Sequence, residues 1–232
     1  MKKMNLHNSK FILRKTPGHL LIRFIWLLLL LSSLSLLLFQ RRYSDGHILL
    51  WNNLRIVGDR TELTHFLPKD AEVLELGVRD AKYASEILYL SEVLQRTVFY
   101  TGIDSWSLGK HTTDEYAKAL KKLRGQRSKA TLIRAFFKEI GNFFEREQFD
   151  LIYVDGFAGT GEEKGKTFWM SWPYLKRGGI FAGHDYASKK YPLVKKYLDE
   201  FKKSVAPNET LYVTEKGDNS GDNERSFYFR KP

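Results

Sequence analysis

Three residues have the types and the spacing to share acid–base chemistry: Asp155 in FDLIYVDGF, and His184 and Asp185 in GGIFAGHDY. A carboxylate or an imidazole within hydrogen-bond reach of a hydroxyl can take its proton. Each tip follows a short apolar run, Phe149–Val154 before Asp155 and Gly179–Ala182 before His184. Such runs form central strands of a parallel sheet, and ligands bind beyond the carboxyl ends of those strands. Two tips one crossover apart therefore converge on one site. Two further acids stand earlier, Glu75 in ELGVRDA and Asp104 in GIDSW. Glu75 and Gly77 occupy a strand-to-helix turn, where glycine lets backbone approach a ligand closely and the N–H groups of the next helix face it. Asp104 closes a second strand, where a carboxylate can accept both hydroxyls of a ribose. The single glycine of ELGVRDA, where a dinucleotide fingerprint has three, argues against NAD or FAD.

The elements that must position these residues alternate. Ala71–Leu76, Val98–Ile103, Ala130–Ile133, Phe149–Val154 and Gly179–Ala182 read as strands. Lys82–Leu94, Thr112–Leu123, Phe137–Arg146 and Tyr191–Lys203 read as helices, and a further helix lies between Asp155 and Gly179. Leu211–Thr214 and Ser226–Phe229 alternate and lie close together, which predicts an antiparallel hairpin. Strand–helix alternation implies a parallel sheet with helices on both faces. The predicted fold is therefore α/β and Rossmann-like, with a seven-stranded, mostly parallel sheet ending in an antiparallel hairpin. Thr61–Pro68 is expected to cover one edge of the sheet.

Five segments in this order, ELGVRDAKYAS, YTGIDSW, FDLIYVDGF, LKRGGIFAGHDY and YPLVKKYLDEF, resemble a class I S-adenosylmethionine-dependent methyltransferase. The nearest branch is the small-molecule and sugar O-methyltransferase-like group whose strand tips read IDG and GHDY. The resemblance spans Ala71–Pro232 and implies S-adenosylmethionine as cofactor. Carried over by position, it implies that Glu75 and Gly77 lie near the methionine part. It sets Asp104 on the ribose with Ser105 and Trp106 beside it, and Ala135 and Phe136 on the adenine. Asp155 would lie beside the methyl group, with His184 and Asp185 as further ligands or a base. Two carboxylates suit Mg²⁺, and adding His184 tilts the set toward Mn²⁺. The expected acceptor is a hydroxyl of a small molecule or glycan. A histidine common just after the IDG tip in this group is absent from Asp155-Gly156-Phe157-Ala158-Gly159. That throws weight onto His184 or a metal, and makes an inactive, membrane-tethered binding module the alternative reading.

The chain has 232 residues, no cysteine and a formal charge of +11. The absence of cysteine excludes disulfides, thiolate zinc sites and cysteine nucleophiles. Met1–Ser44 holds eight Lys and Arg and no acid, which leaves 30 basic against 27 acidic residues elsewhere. So small an excess gives little room for a nucleic-acid-binding face. Leu20–Phe39 is apolar apart from Arg23 and three serines, long enough to span a bilayer. Basic residues concentrate before it, which favours a cytoplasmic N-terminus. The expected organisation is a basic tail (1–19), a single-pass signal anchor (20–39), a linker and lead-in (40–69) and a catalytic domain (70–232).

Overall fold

Seven strands pair in the order β3-β2-β1-β4-β5-β7-β6. They are β1 (Asp70–Leu76), β2 (Thr97–Asp104), β3 (Ala130–Arg134), β4 (Phe149–Val154), β5 (Leu175–Tyr186), β6 (Tyr212–Gly217) and β7 (Arg225–Arg230). The computed structural model describes residues 54–107, 113–126, 129–156, 162–186, 188–217 and 224–232. β1 to β5 run parallel, and β7 pairs antiparallel with both β5 and β6. The order reverses beside β1, between β2 and β4, which is the switch point where ligands bind in open α/β sheets. The tips of β1, β2, β4 and β5 hold the chemically competent residues singled out above.

The central strands bury both faces, as parallel strands do. On one face α1 (Lys82–Val93) inserts Tyr83, Ala84, Ile87 and Leu88, and α2 (Thr113–Lys122) buries Ala119. On the other, α4 (Pro192–Val205) presents Val194, Leu198 and Phe201 at helical spacing. They pack with Phe168 of α3 (Glu162–Ser171) on Phe181, Phe227 and Phe229.

Three local expectations need correction. Val57 and Gly58 do pair with the edge strand β6, their carbonyls accepting from Glu215 N and Lys216 N, but Thr61–Pro68 does not cover an edge. It packs on the α1 face as a 3₁₀ helix, Arg60–Phe66, with Leu63, Phe66 and Leu67 in the same core as Tyr153 and Tyr228. The segment expected to be linker thus contributes to the core from Val57 onward. The helix expected over Phe137–Arg146 is a short 3₁₀ turn, Phe137–Asn142. Gly141 lies in its last turn, and Phe144 leaves the helical path to pack edge-on against Phe149 at 4.9 Å. β5 runs from Leu175 to Tyr186, longer than the expected Gly179–Ala182, so the strand itself includes His184 and Asp185. Among the described residues no helix is long and apolar enough to cross a membrane. The segment expected to do so, 20–39, lies outside them.

Candidate active site

Asp155 and the pair His184–Asp185 meet because β5 is irregular at its tip. In a regular strand, successive side chains point to opposite faces. Here the β5–β7 register shifts between Gly183 and Tyr186, and Asp185 takes a left-handed φ of 63°. The bulge re-aims the chain, and Asp185 Oδ1 comes 3.0 Å from His184 Nδ1. Asp155 Oδ1 lies 3.6 Å from the same nitrogen. His184 Nε2 is buried and has no hydrogen-bond partner among the described residues. Burial alone would lower the His184 pKa, but the carboxylates of Asp155 and Asp185 overcome it and hold the imidazole at about 9. Lost hydration raises the Asp155 pKa, opposed by His184 and Arg60.

Arg60 completes this cluster, and no motif pointed to it. Its Nη1 donates to Asp155 Oδ2 at 2.8 Å. Asp59 caps the 3₁₀ helix by accepting from Thr61 N. The three-residue period then sets Arg60, Leu63 and Phe66 on one face, all buried. The spacing RxxLxxF was the available signal, readable as a buried face but silent on what the arginine meets.

The β1–α1 turn forms the second part of the site. Gly77 has φ 98°, and a Cβ there would lie 2.6 Å from the Asp155 carbonyl oxygen. The close approach that glycine permits is therefore to the β4 tip itself, which joins the two parts. Arg79 and Ala81 also take left-handed φ values, 54° and 59°. The turn thus follows a glycine-like path at positions where the sequence supplies no glycine. Asp104 fastens it: Oδ2 accepts from Val78 N and Arg79 N, both at 3.0 Å, and Oδ1 accepts from Trp106 N at 2.8 Å. Glu75 lies beneath, fully buried, accepting from the Tyr100 hydroxyl. Burial raises its pKa to about 8 despite that hydrogen bond and the nearby Arg60 charge.

Beside this turn lies a groove of about 280 Å³ lined by Ser105, Ser107, Arg134, Ala135, Phe136 and Glu139. The predicted residues Ser105, Ala135 and Phe136 therefore share one wall system. Phe136 is 44% exposed, and its backbone N–H is held by the Glu139 carboxylate at 2.8 Å. Trp106 does not join them. It is buried, donates its indole N–H to Arg79 O and packs on Tyr116 at 4.6 Å, and so clamps the turn. Ser107, Arg134 and Glu139 are lining residues that no motif signalled.

Asp155, His184 and Asp185 each offer a donor atom, all within 4.8 Å of one another. Their number and chemistry suit a small divalent ion. The charge does not, because the Arg60 guanidinium already holds Asp155 Oδ2. A divalent cation therefore does not fit the cluster as it stands.

Residues 74–186 match a family model described as a methyltransferase domain, a span that holds every predicted site residue but not Arg60. No curated protein matches the chain. An rRNA methylase from Streptococcus thermophilus has a similar structure, with 15% identity over 73% of this chain and 91% of that one, at a TM-score of 0.52. A Streptococcus mutans protein assigned as a methyltransferase and solved with SAH gives 14%, 73%, 93% and 0.53. Spermidine synthase from Thermotoga maritima gives 17%, 75% and 0.51, and this chain spans 60% of its length. At such identities the likeness is one of fold. The match to a methyltransferase domain thus covers both parts of the site, on a fold shared with solved methyltransferases.

Proposed function

We propose that the chain binds S-adenosylmethionine across the tips of β1, β2 and β3 and transfers its methyl group to a hydroxyl held at the tips of β4 and β5. The observation that carries this reading is the abutment of the two parts. Gly77 of the cofactor turn presses on the backbone of Asp155, the first residue of the acid–base cluster. In this reading the adenine stacks on Phe136, the ribose meets Asp104 and Ser105, and the methionine end lies toward Glu75 and Gly77. Methyl transfer needs the acceptor oxygen in line with the sulfonium and its proton removed, and positioning supplies much of the barrier reduction. His184 is the base: Nδ1 faces the Asp185 carboxylate at 3.0 Å, and the unpartnered Nε2 can take the hydroxyl proton. The acceptor is a small molecule or a glycan, and the enzyme is tethered to a membrane through residues 20–39.

Labelled S-adenosylmethionine, incubated with the full chain in detergent and a panel of hydroxylated acceptors, tests this. Label transfer that His184→Ala abolishes supports it, and transfer unaffected by His184→Ala overturns the assignment of the base. A catalytically silent binding module is the second reading, favoured by an imidazole held protonated between two carboxylates at neutral pH. Cofactor binding without transfer to any acceptor across pH 7–9 would select it.

A further inference from the structure

The guanidinium of Arg60 has a seat built from four elements. It lies 4.9 Å from the ring of Tyr83 on α1 and 5.6 Å from that of Tyr153 on β4. It also donates to the Tyr153 hydroxyl at 3.4 Å, and that hydroxyl is tied to Ser226 Oγ on β7 at 2.7 Å. The fourth element is its own capped 3₁₀ helix. Only 6% of the side chain is exposed, against 25% for Asp155. An arginine fixed on two aromatic faces and a carboxylate is positioned, not merely tolerated.

We propose that Arg60 is the resident cation of this site: it neutralises and orients Asp155 where a divalent metal ion would otherwise bind, so the cluster works without one. This rests on reading the cluster as the methyl-transfer site. A divalent ion held by Asp155, His184 and Asp185 would sit within a few ångströms of a poorly hydrated guanidinium, and like charges so placed repel strongly. Arg60 ties down Asp155 Oδ2 and leaves Oδ1 facing His184. It reaches no reacting atom, so it is a positioning residue. It also lies outside the matched residues 74–186, so the cation comes from this chain's own lead-in.

Titration of Mn²⁺ into the full chain, read by the electron paramagnetic resonance of free Mn²⁺, tests this. The wild type and Arg60→Lys should show no stoichiometric site below millimolar Mn²⁺. Arg60→Met should gain one site, at least tenfold tighter, that the double variant Arg60→Met/Asp155→Asn loses. A micromolar site in the wild type that Asp155→Asn removes overturns the proposal. So does a folded Arg60→Met protein that gains no site. If Arg60→Met does not fold, the wild-type and Arg60→Lys titrations decide alone, since a stoichiometric site in either contradicts the proposal. Failure of S-adenosylmethionine to bind would overturn the functional reading instead, and leaves these titrations readable.

Discussion

The two parts of the strand-tip edge are built by opposite means. The turn beside the groove is held by backbone: one carboxylate, Asp104, gathers three N–H groups from within 26 residues of itself. The cluster at β4 and β5 is held by side-chain charge, and its cation comes from a residue 95 positions from its partner. Local backbone geometry suits a site that must fit one cofactor the same way each time. Paired charges in a largely buried cluster suit one that must move a proton. Gly77 is the seam between them.

The comparison can be broken on either side. The largest effect falls on turnover: His184→Ala should lower the rate about 10²–10⁴-fold, while S-adenosylmethionine affinity measured by calorimetry should stay near that of the wild type. The rate should also climb with pH toward about 9, because the proton-accepting form of His184 appears only as the imidazole deprotonates. The groups that set this are Asp155, Asp185 and Arg60, and a flat profile between pH 7 and 9 would contradict the assignment. Next comes the seam. Gly77→Ala sets a Cβ against the Asp155 carbonyl at a φ that alanine disfavours. It should cost about 3 kcal/mol in denaturant unfolding and impair cofactor binding and turnover together, which neither single-sided variant does.

Glu75 gives a smaller effect, visible in the pH dependence of stability. Its folded pKa of about 8 exceeds the ordinary glutamate value of 4.5, so between those values the native state keeps a proton that the unfolded chain releases. That makes Glu75 a penalty that grows as pH rises from about 4.5 to 8. Glu75→Gln should flatten this part of the melting-temperature profile and leave stability near pH 4.5 unchanged. The smallest effect belongs to Phe136→Ala, which removes an exposed ring. It should weaken S-adenosylmethionine about tenfold through lost stacking, with little change in unfolding.

Much of this edge was legible in the sequence, for identifiable reasons. Apolar runs ending in Glu75–Gly77, Asp104, Asp155 and His184–Asp185 are local signals, and all four tips lie at the predicted edge of the predicted sheet. The path of the ELGVRDA turn was not legible, because Arg79 and Ala81 adopt left-handed φ themselves, a strain that composition cannot reveal. The resemblance set Trp106 beside the ribose acid Asp104. Whether an aromatic there turns inward depends on Tyr116 and Arg79 O, neither readable from spacing. Arg60 was invisible for the same reason at longer range, since one arginine in RTELTHF does not name a partner on β4.

Calorimetric titration of S-adenosylmethionine into the full chain in detergent tests the central claim most directly. One site per chain is expected, weakened about tenfold in Phe136→Ala and retained in His184→Ala. No heat at millimolar cofactor, or a site indifferent to Phe136 and lost with His184, would contradict it.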